Sequence, residues 1–549
     1  MKEFLGITID ITYYVYLIIF AVCAFYIGQE AHKEEKLTNK LAIILLVFVS
    51  IALLLHLNVI QLEKSLIVGS GLGSFLVGYL CSFLYFKFLT IGYNHKDDII
   101  LKTTSNTPIM IKDFKRGVGI FGSSGSAKTQ GILYPIMVEL EQKKIGGVVY
   151  DYKNGELTEL VMGIFPKEKI HVFCFDDINS IKINFLDPKI VTSEKDIISV
   201  CHTLLNTAFG KEATESKNAY FYNSAKSIFI GVALRFYYDF TEHCSFANIV
   251  LFLTSNDFSK TFMIDKKVKV VVYKGLVEFI EGNSWSRIQG ANGISALQNE
   301  TSDVMSTLLS ALSKFTSPSI LYNLTENSVD LQINKSSDIL VLVNTPRDDE
   351  FYDSIFSCLF DVITKNLMIR EQKGAFLLLD EGYTIKSEKM SKIIATMRSF
   401  GIAIFYCCQD VSQGYLQYTR DGFRSIIANM STMFFGKVNE PETAKFCEGY
   451  IDEHKVKEKS HTTGKSGSTT TSMRDKKKIK ASEFFKLRQG QFVYTSNGKI
   501  KKVKMKRIKI NKVKYLPRIT DTERQLIEEK YFIMVEAIKD FARGIGVGN

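Results

Sequence analysis

The nine cysteines include no Cys-x-x-Cys pair, and histidine occurs only eight times in 549 residues. A structural zinc site needs such spaced ligands, and the cysteines do not pair by spacing, so neither a zinc site nor a disulfide framework is expected. Reduced thiols of a cytosolic compartment are the expectation that remains. No internal repeat recurs. No small-residue cleavage site follows the first apolar stretch, which is therefore expected to stay in the chain rather than be removed as a signal peptide. Acidic excess is confined to part of the chain. Residues 451–518 hold 21 Lys and Arg against 5 Asp and Glu, +16, and the formal total of +11 leaves the rest at −5.

Long apolar runs are present at the start: 11–28, 41–60 and 66–91. A helix that crosses a bilayer needs about 20 apolar residues. The second and third runs meet that, while the first is rich in tyrosine. The loop at 29–40 carries Lys33, Lys36 and Lys40, whereas 61–65 carries only Lys64. Positive charge favours the cytoplasmic side. Three spans with the N-terminus outside then place everything beyond Gly92 inside a bacterial cell (plasma) membrane. Gly69 and Gly73 form a small-xxx-small pair that either packs helices closely or is incidental.

Behind these runs comes Gly119-Ile-Phe-Gly-Ser-Ser-Gly-Ser-Ala-Lys-Thr129. Read as a phosphate-binding loop, it comprises Gly122, Ser123, Ser124, Gly125, Ser126, Ala127, Lys128 and Thr129. Its glycines let successive N–H groups converge on a phosphate, and a helix at 130–140 adds its positive end. Lys128 is expected on the β- and γ-phosphates of ATP, and the Thr129 hydroxyl on Mg2+. Ala127 stands where glycine is usual, and a helical backbone there would tolerate its methyl. The second half of such a site is Ala375-Phe-Leu-Leu-Leu-Asp-Glu381. An unbroken apolar run reads as a parallel strand buried on both faces. Asp380 would hold Mg2+ through water, and Glu381 would polarise the attacking water. Many core strands end in an acid, so the weight lies in the pairing of the two motifs.

Further apolar runs at 117–121, 147–150, 170–175, 339–343, 402–408 and 433–435 alternate with helical stretches. That alternation predicts an α/β fold with a mainly parallel sheet. From 188 to about 310 the periodicity turns helical, apart from a strand-like run at 268–273, so a mostly α-helical insertion is expected. The division is 1–92 (membrane), 93–190 and 311–518 (two parts of a nucleotide-binding domain), 191–310 (insertion) and 519–549 (helical tail). The Gly, Ser, Thr and Lys of 455–480 read as a mobile basic loop. At 499–514 lysines partly alternate with Val, Met and Ile, as on strands with one basic face. A basic run is usually a solvated surface, but this asymmetry points to a polyanion, either nucleic acid or anionic lipid.

The ordered motifs resemble the TraG/TraD family, the coupling ATPases of conjugation and type IV secretion. Val148-Val-Tyr-Asp-Tyr-Lys-Asn-Gly-Glu-Leu157 is similar to that family's strand ending in Asp-Pro-Lys-Gly-Glu. Ile183-Asn-Phe-Leu-Asp-Pro188 is similar to its Asn-Pro-Leu turn, and Phe221 and Ala225 stand where a helix of its helical domain opens. Asp380-Glu381 matches its Asp-Glu-Phe, with Gly382 for Phe. Arg398-Ser-Phe-Gly401 leads to Gln409, as its Arg-x-x-Gly strand leads to a sensor Gln. Asn429, Glu442-Thr-Ala444, Ser482-Glu483 and Leu487 match later positions. The departures are Ala127, the Pro missing after Asp151, the Phe missing after Glu381, and three spans where two are common.

The resemblance implies a RecA-like P-loop NTPase with an inserted all-α domain, working as a membrane-anchored homo-hexamer. Such a motor would pass a relaxase–DNA complex, or protein, to the components of a secretion channel. It implies Arg398 as a cation donated to a neighbouring subunit's ATP, against an ordinary helix-surface arginine. It also implies Gln409 as a γ-phosphate sensor, against a plain loop residue. Asp151 and Lys153 either border the nucleotide site or make a surface salt bridge. An ABC-type exporter would show a Leu-Ser-Gly-Gly-Gln-like signature before the acidic strand, where this chain has Asn366-Leu-Met-Ile-Arg-Glu-Gln-Lys-Gly374. An FtsK/HerA-like DNA pump shares spans and motor, but the FtsK type usually carries a long linker and a winged-helix tail not seen here. A non-hydrolysing membrane docking platform is the non-enzymatic alternative.

Overall fold

The computed structural model describes residues 97–547, apart from 106, 211–218, 265–267, 300, 371, 452 and 463–467. The three apolar runs, Gly69 and Gly73, the lysine asymmetry of 29–40, Cys23 and Cys81 all lie outside the described residues. Among the described residues no helix is long and apolar enough to cross a membrane.

The centre is a nine-stranded sheet. Its strands in chain order are β1 (Val118–Phe121), β2 (Gly147–Asp151), β3 (Ile170–Phe173), β4 (Ile339–Val343), β5 (Ala375–Leu379), β6 (Ile402–Cys408), β7 (Thr432–Phe435), β8 (Gln491–Ser496) and β9 (Lys499–Lys504). They lie in the order β9-β8-β7-β1-β6-β5-β2-β4-β3. All seven strands expected from the apolar runs pair in parallel, and β8 and β9 extend one edge antiparallel.

The apolar runs are unbroken because both faces of these strands are covered. Val148 and Tyr150 of β2 join one core with Leu377, Leu379, Ile404 and Tyr406. Val149 joins the other with Phe376, Leu378, Ala403 and Phe405. An alternating polar residue on such a strand would be buried without a partner, which costs more than its propensity could return. All seven described cysteines are free and buried.

The insertion is helical, with Glu194–Phe209, Ala219–Asp239, Phe246–Ser255, Lys274–Glu281, Ser284–Asn299 and Thr301–Ser313 as its helices. The all-α insertion implied by the family resemblance is corrected in one respect. Lys260–Ile264 and Val268–Val272 form an antiparallel hairpin, the second strand of which matches the run seen at 268–273. Helix Asp521–Gly544 follows β9 and an extended segment, and its Phe541 ring lies 5.5 Å from that of Phe236 on helix Ala219–Asp239.

The expected mobile loop at 455–480 is also corrected. Glu453–Thr462 and Ser468–Lys477 form an antiparallel ladder in ten-residue register. Its composition concealed it: polar residues on both faces leave no period-2 signal. At 499–514 only Lys499–Lys504 is a strand, with Lys499, Lys501, Lys502 and Lys504 exposed at the sheet edge.

Candidate nucleotide site

Strands β1, β6, β5 and β2 are neighbours and parallel, so the segments that leave their C-terminal ends share one edge of the sheet. Ligands of open α/β sheets bind at that edge. It brings together the loop of Gly122 to Thr129 after β1, Gln409 after β6, Asp380 and Glu381 after β5, and Asp151 and Lys153 after β2. One strand, β6, separates the loop from the acid pair.

The loop is fixed by its backbone. The Gly122 N–H donates to the Cys408 carbonyl at 3.2 Å, and Ser123 N–H to that of Lys437 at 2.7 Å. Gly490 N–H donates to the Ser126 carbonyl at 3.1 Å. Gly125 has φ +76° and nothing within 4 Å of a would-be Cβ, so Ser124 and Gly125 are left exposed at the loop's crest. The Ser126 hydroxyl is buried with no hydrogen-bond partner. Lys128 is buried and its ammonium donates to the Gly122 carbonyl. Thr129 opens a π-helical turn, Thr129–Leu133, before the α-helix Tyr134–Gln142. Such turns are rare and cluster at functional sites.

Ala127 overturns an expectation. Its φ is +71°, the left-handed region, not the helical backbone that would carry a methyl without cost. Glycine is usual there because it alone adopts that conformation freely. Glu381 is similarly placed, with φ +49°. Left-handed non-glycine residues persist where the surroundings over-determine them, often at sites of function.

Asp380 and Glu381 are 3% and 2% exposed. Glu381 accepts the Gln409 N–H on Oε2 at 3.2 Å, while Oε1 has no hydrogen-bond partner. Burial raises the Glu381 pKa, the Asp380 charge raises it further, and Lys128 and Lys153 oppose the shift. Lys153 Nζ lies 3.1 Å from Asp380 Oδ2 and 3.5 Å from Glu381 Oε1, so this pair borders the candidate site rather than the outer surface. Asp151 is wholly buried and accepts from Thr158 N–H and Oγ1, both at 2.8 Å, and from Lys153 N–H at 3.1 Å. Burial pushes its carboxyl up to about 6.

Gly382, which stands for the family's Phe, has a packing reason. A Cβ there would lie 2.6 Å from the Tyr406 ring, which already fills the space. Tyr152, in place of Pro, donates its hydroxyl to Asp349 at 3.1 Å.

Arg398 is not brought to this edge. It precedes β6, whose seven residues span about 20 Å, so it lies at the opposite end of the sheet from its own loop. There it pairs with Asp113 at 3.2 Å, both side chains part-exposed. Gln409 is at the edge, contributing its backbone N–H.

Sequence reasoning passed over two acids nearby. Glu440 caps helix Pro441–Gly449, accepting from the N–H groups of Glu442 and Thr443 at 2.7 and 2.6 Å. Asp410 Oδ1 is buried without a partner, and burial, then Glu440, raises its carboxyl. Glu440 followed by Pro441 was a legible helix start; Asp410 gave no local signal.

Among the described residues no group of three or more His, Cys, Asp or Glu is placed to hold a metal ion. A hard cation at Thr129 and Asp380 would therefore be completed by phosphate and water oxygens.

A family model described as Type IV secretory system conjugative DNA transfer matches residues 95–526. No curated protein sequence matches the chain. Among solved structures, the bacterial conjugative coupling protein TrwBdeltaN70, in an unbound form, is 14% identical with a TM-score of 0.59, covering 76% of this chain and 90% of that one. TrwB in complex with the non-hydrolysable ATP analogue ADPNP is 13% identical with a TM-score of 0.60, covering 79% and 94%. TrwB with ADP and Mg2+ is 13% identical with a TM-score of 0.59, covering 77% and 92%. These likenesses establish the fold: the chain shares the α/β architecture of those coupling proteins.

Proposed function

We propose, for a chain that belongs to the type IV secretory system conjugative DNA transfer family, that it is a membrane-anchored coupling ATPase of the TraG/TraD kind. It recruits DNA–relaxase or protein substrates and drives them into a type IV secretion channel. The observation that carries this reading is the meeting of the loop and the buried acid pair at one sheet edge, with a single strand between them.

ATP with Mg2+ is the ligand these residues fit. The fold's solved relatives hold ADPNP, and ADP with Mg2+. In this chain the exposed crest at Gly125, the Ser126 hydroxyl, buried without a hydrogen-bond partner, and Glu381 Oε1, ion-paired with Lys153 but without a hydrogen bond, are polar positions that a phosphate and a water would satisfy. Backbone N–H groups of Ser124, Gly125, Ala127 and Lys128 would bind the phosphates, those of Ser123 and Ser126 being donated to the Lys437 and Ser123 carbonyls. Lys128 exchanges the Gly122 carbonyl for phosphate oxygen. Thr129, and Asp380 through water, would hold the metal, which would offset phosphate charge. Glu381 would orient and polarise a water, and Gln409, whose backbone N–H it accepts, would report the γ-phosphate's presence.

Arg398 lies at the other end of the sheet from its own loop, and in a homo-hexamer it would serve a neighbouring subunit's nucleotide, the alternative being a surface arginine paired with Asp113. Its half-exposed pair with Asp113 is the kind worth only about 0–1 kcal/mol, so release costs little. The basic hairpin and edge strand contact nucleic acid. The runs at 41–60 and 66–91, with 11–28, anchor the chain in the plasma membrane.

The strained Ala127 favours one second reading, a platform that binds nucleotide without turning it over. ATP turnover by the full-length chain, with Lys128→Ala as control, tests the proposal. Loss of turnover in Lys128→Ala supports the motor. A wild-type chain that binds ATP and releases no phosphate, with DNA present, leaves the platform.

A further inference from the structure

Two adjacent buried carboxylates need a countercharge, since each pays desolvation and each repels the other. In this chain the countercharge is a side chain. Lys153 Nζ reaches Asp380 Oδ2 at 3.1 Å, Asp380 Oδ1 at 3.4 Å and Glu381 Oε1 at 3.5 Å. That last oxygen has no hydrogen-bond partner. Nothing in this arrangement depends on sequence neighbourhood, because Lys153 and Asp380 are 227 residues apart.

The aim of Lys153 is built in. Strand β2 pairs with β5 in register Tyr150 with Leu379, and the Asp380 N–H donates to the Tyr150 carbonyl at 3.0 Å. The last residue of β2, Asp151, and the first beyond β5, Asp380, therefore start side by side. Asp151 then accepts the Lys153 N–H, and Asn154 and Gly155 follow with φ +52° and +103°. This tight turn folds the lysine back over the acids. Its side chain is 31% exposed, so it has solvent to swing into, unlike the carboxylates beneath it.

We propose that Lys153 is a resident counter-ion that occupies, in the nucleotide-free protein, the place beside Asp380 which a divalent cation takes when nucleotide arrives. An ammonium and a divalent ion cannot share it, because like charges a few ångströms apart repel strongly in a buried site. Loading the metal requires Lys153 to swing outward, and unloading lets it return. Lys153 is thus a positioning residue that keeps the acid pair ordered and discourages metal binding without nucleotide. The proposal rests on the nucleotide-site reading above.

Mn2+ binding to the nucleotide-free, full-length chain, read by electron paramagnetic resonance, tests it. Lys153→Met keeps the stem and removes the charge. It should bind Mn2+ at least about tenfold more tightly than wild type, a modest effect for one unit charge at ~4 Å. Lys153→Arg, which keeps the charge, should bind like wild type. Asp380→Asn added to Lys153→Met should abolish the gain, which locates the ion. Melting should show the same exchange: Lys153→Met destabilised in chelator and restored by Mn2+. Unchanged or weakened Mn2+ affinity in Lys153→Met, with circular dichroism like wild type, would overturn the proposal. If Lys153→Met does not fold, Lys153→Gln replaces it with the same expectations. Binding of a fluorescent ATP analogue to wild type, run in parallel, tests the nucleotide-site reading separately, since its failure leaves the Mn2+ comparison intact.

Discussion

Ala127→Gly is predicted to stabilise the chain, although it puts glycine at the start of a helical segment. The backbone there is left-handed, φ +71°. That conformation costs a residue with a Cβ about 1–2 kcal/mol. Glycine's freer unfolded chain gives back about 0.4–1 kcal/mol. The net gain is therefore about 0–1.6 kcal/mol. If Ala127 were helical, the same change would cost about 1 kcal/mol, so the two accounts differ in sign. Ala127→Val sharpens the contrast, because a β-branched residue with positive φ is an outlier; it should cost more than about 1 kcal/mol. Urea unfolding of the full-length wild type and both variants, followed by fluorescence, reads the order. The structure predicts Gly above Ala above Val. A glycine variant less stable than wild type would refute the left-handed assignment. The same variant should bind ATP at least as tightly as wild type, since the loop no longer holds strain.

Mixing Arg398→Ala subunits with Lys128→Ala subunits should restore part of the ATP turnover that each lacks alone, because mixed interfaces join a good loop to a good arginine; no recovery in demonstrably mixed oligomers would count against the neighbour role. Replacing Lys476, Lys477 and Lys478 with Gln should weaken DNA binding about equally across sequences and flatten the salt slope by up to about 0.9 for each duplex phosphate that is no longer neutralised. Retained DNA affinity together with weakened binding to anionic vesicles would assign this cluster to lipid instead. A cysteine placed in the 29–40 loop should be labelled only after lysis of cells; labelling from outside would mean two spans or the inverse topology.

The sheet was legible where burial on both faces forces continuous apolar runs, as in Ile339–Val343 and Ile402–Cys408. The hairpin of Glu453–Thr462 and Ser468–Lys477 was not, because all its strand residues but Val456 and Met473 are polar and give no periodic apolar signal. At the site, residue types and order were readable from the two motifs. The approach of Lys153 to Asp380 was not, since it follows from which strands become neighbours. Ala127 misled because a helical backbone, which tolerates a methyl, was assumed there. Its conformation is dictated by the loop around it, anchored at Ser123 and Ser126. Gly382 looked like a missing aromatic until Tyr406 was seen in its place.

Comparing ATP binding with ATP turnover in full-length Glu381→Gln is the most direct test of the central claim. Its carboxylate is buried at the acid edge and bonds Gln409, while Asp380 and Lys128 are untouched by the change. The account predicts that the variant binds Mg2+ and ATP about as well as wild type and hydrolyses none. Hydrolysis at the wild-type rate would contradict it.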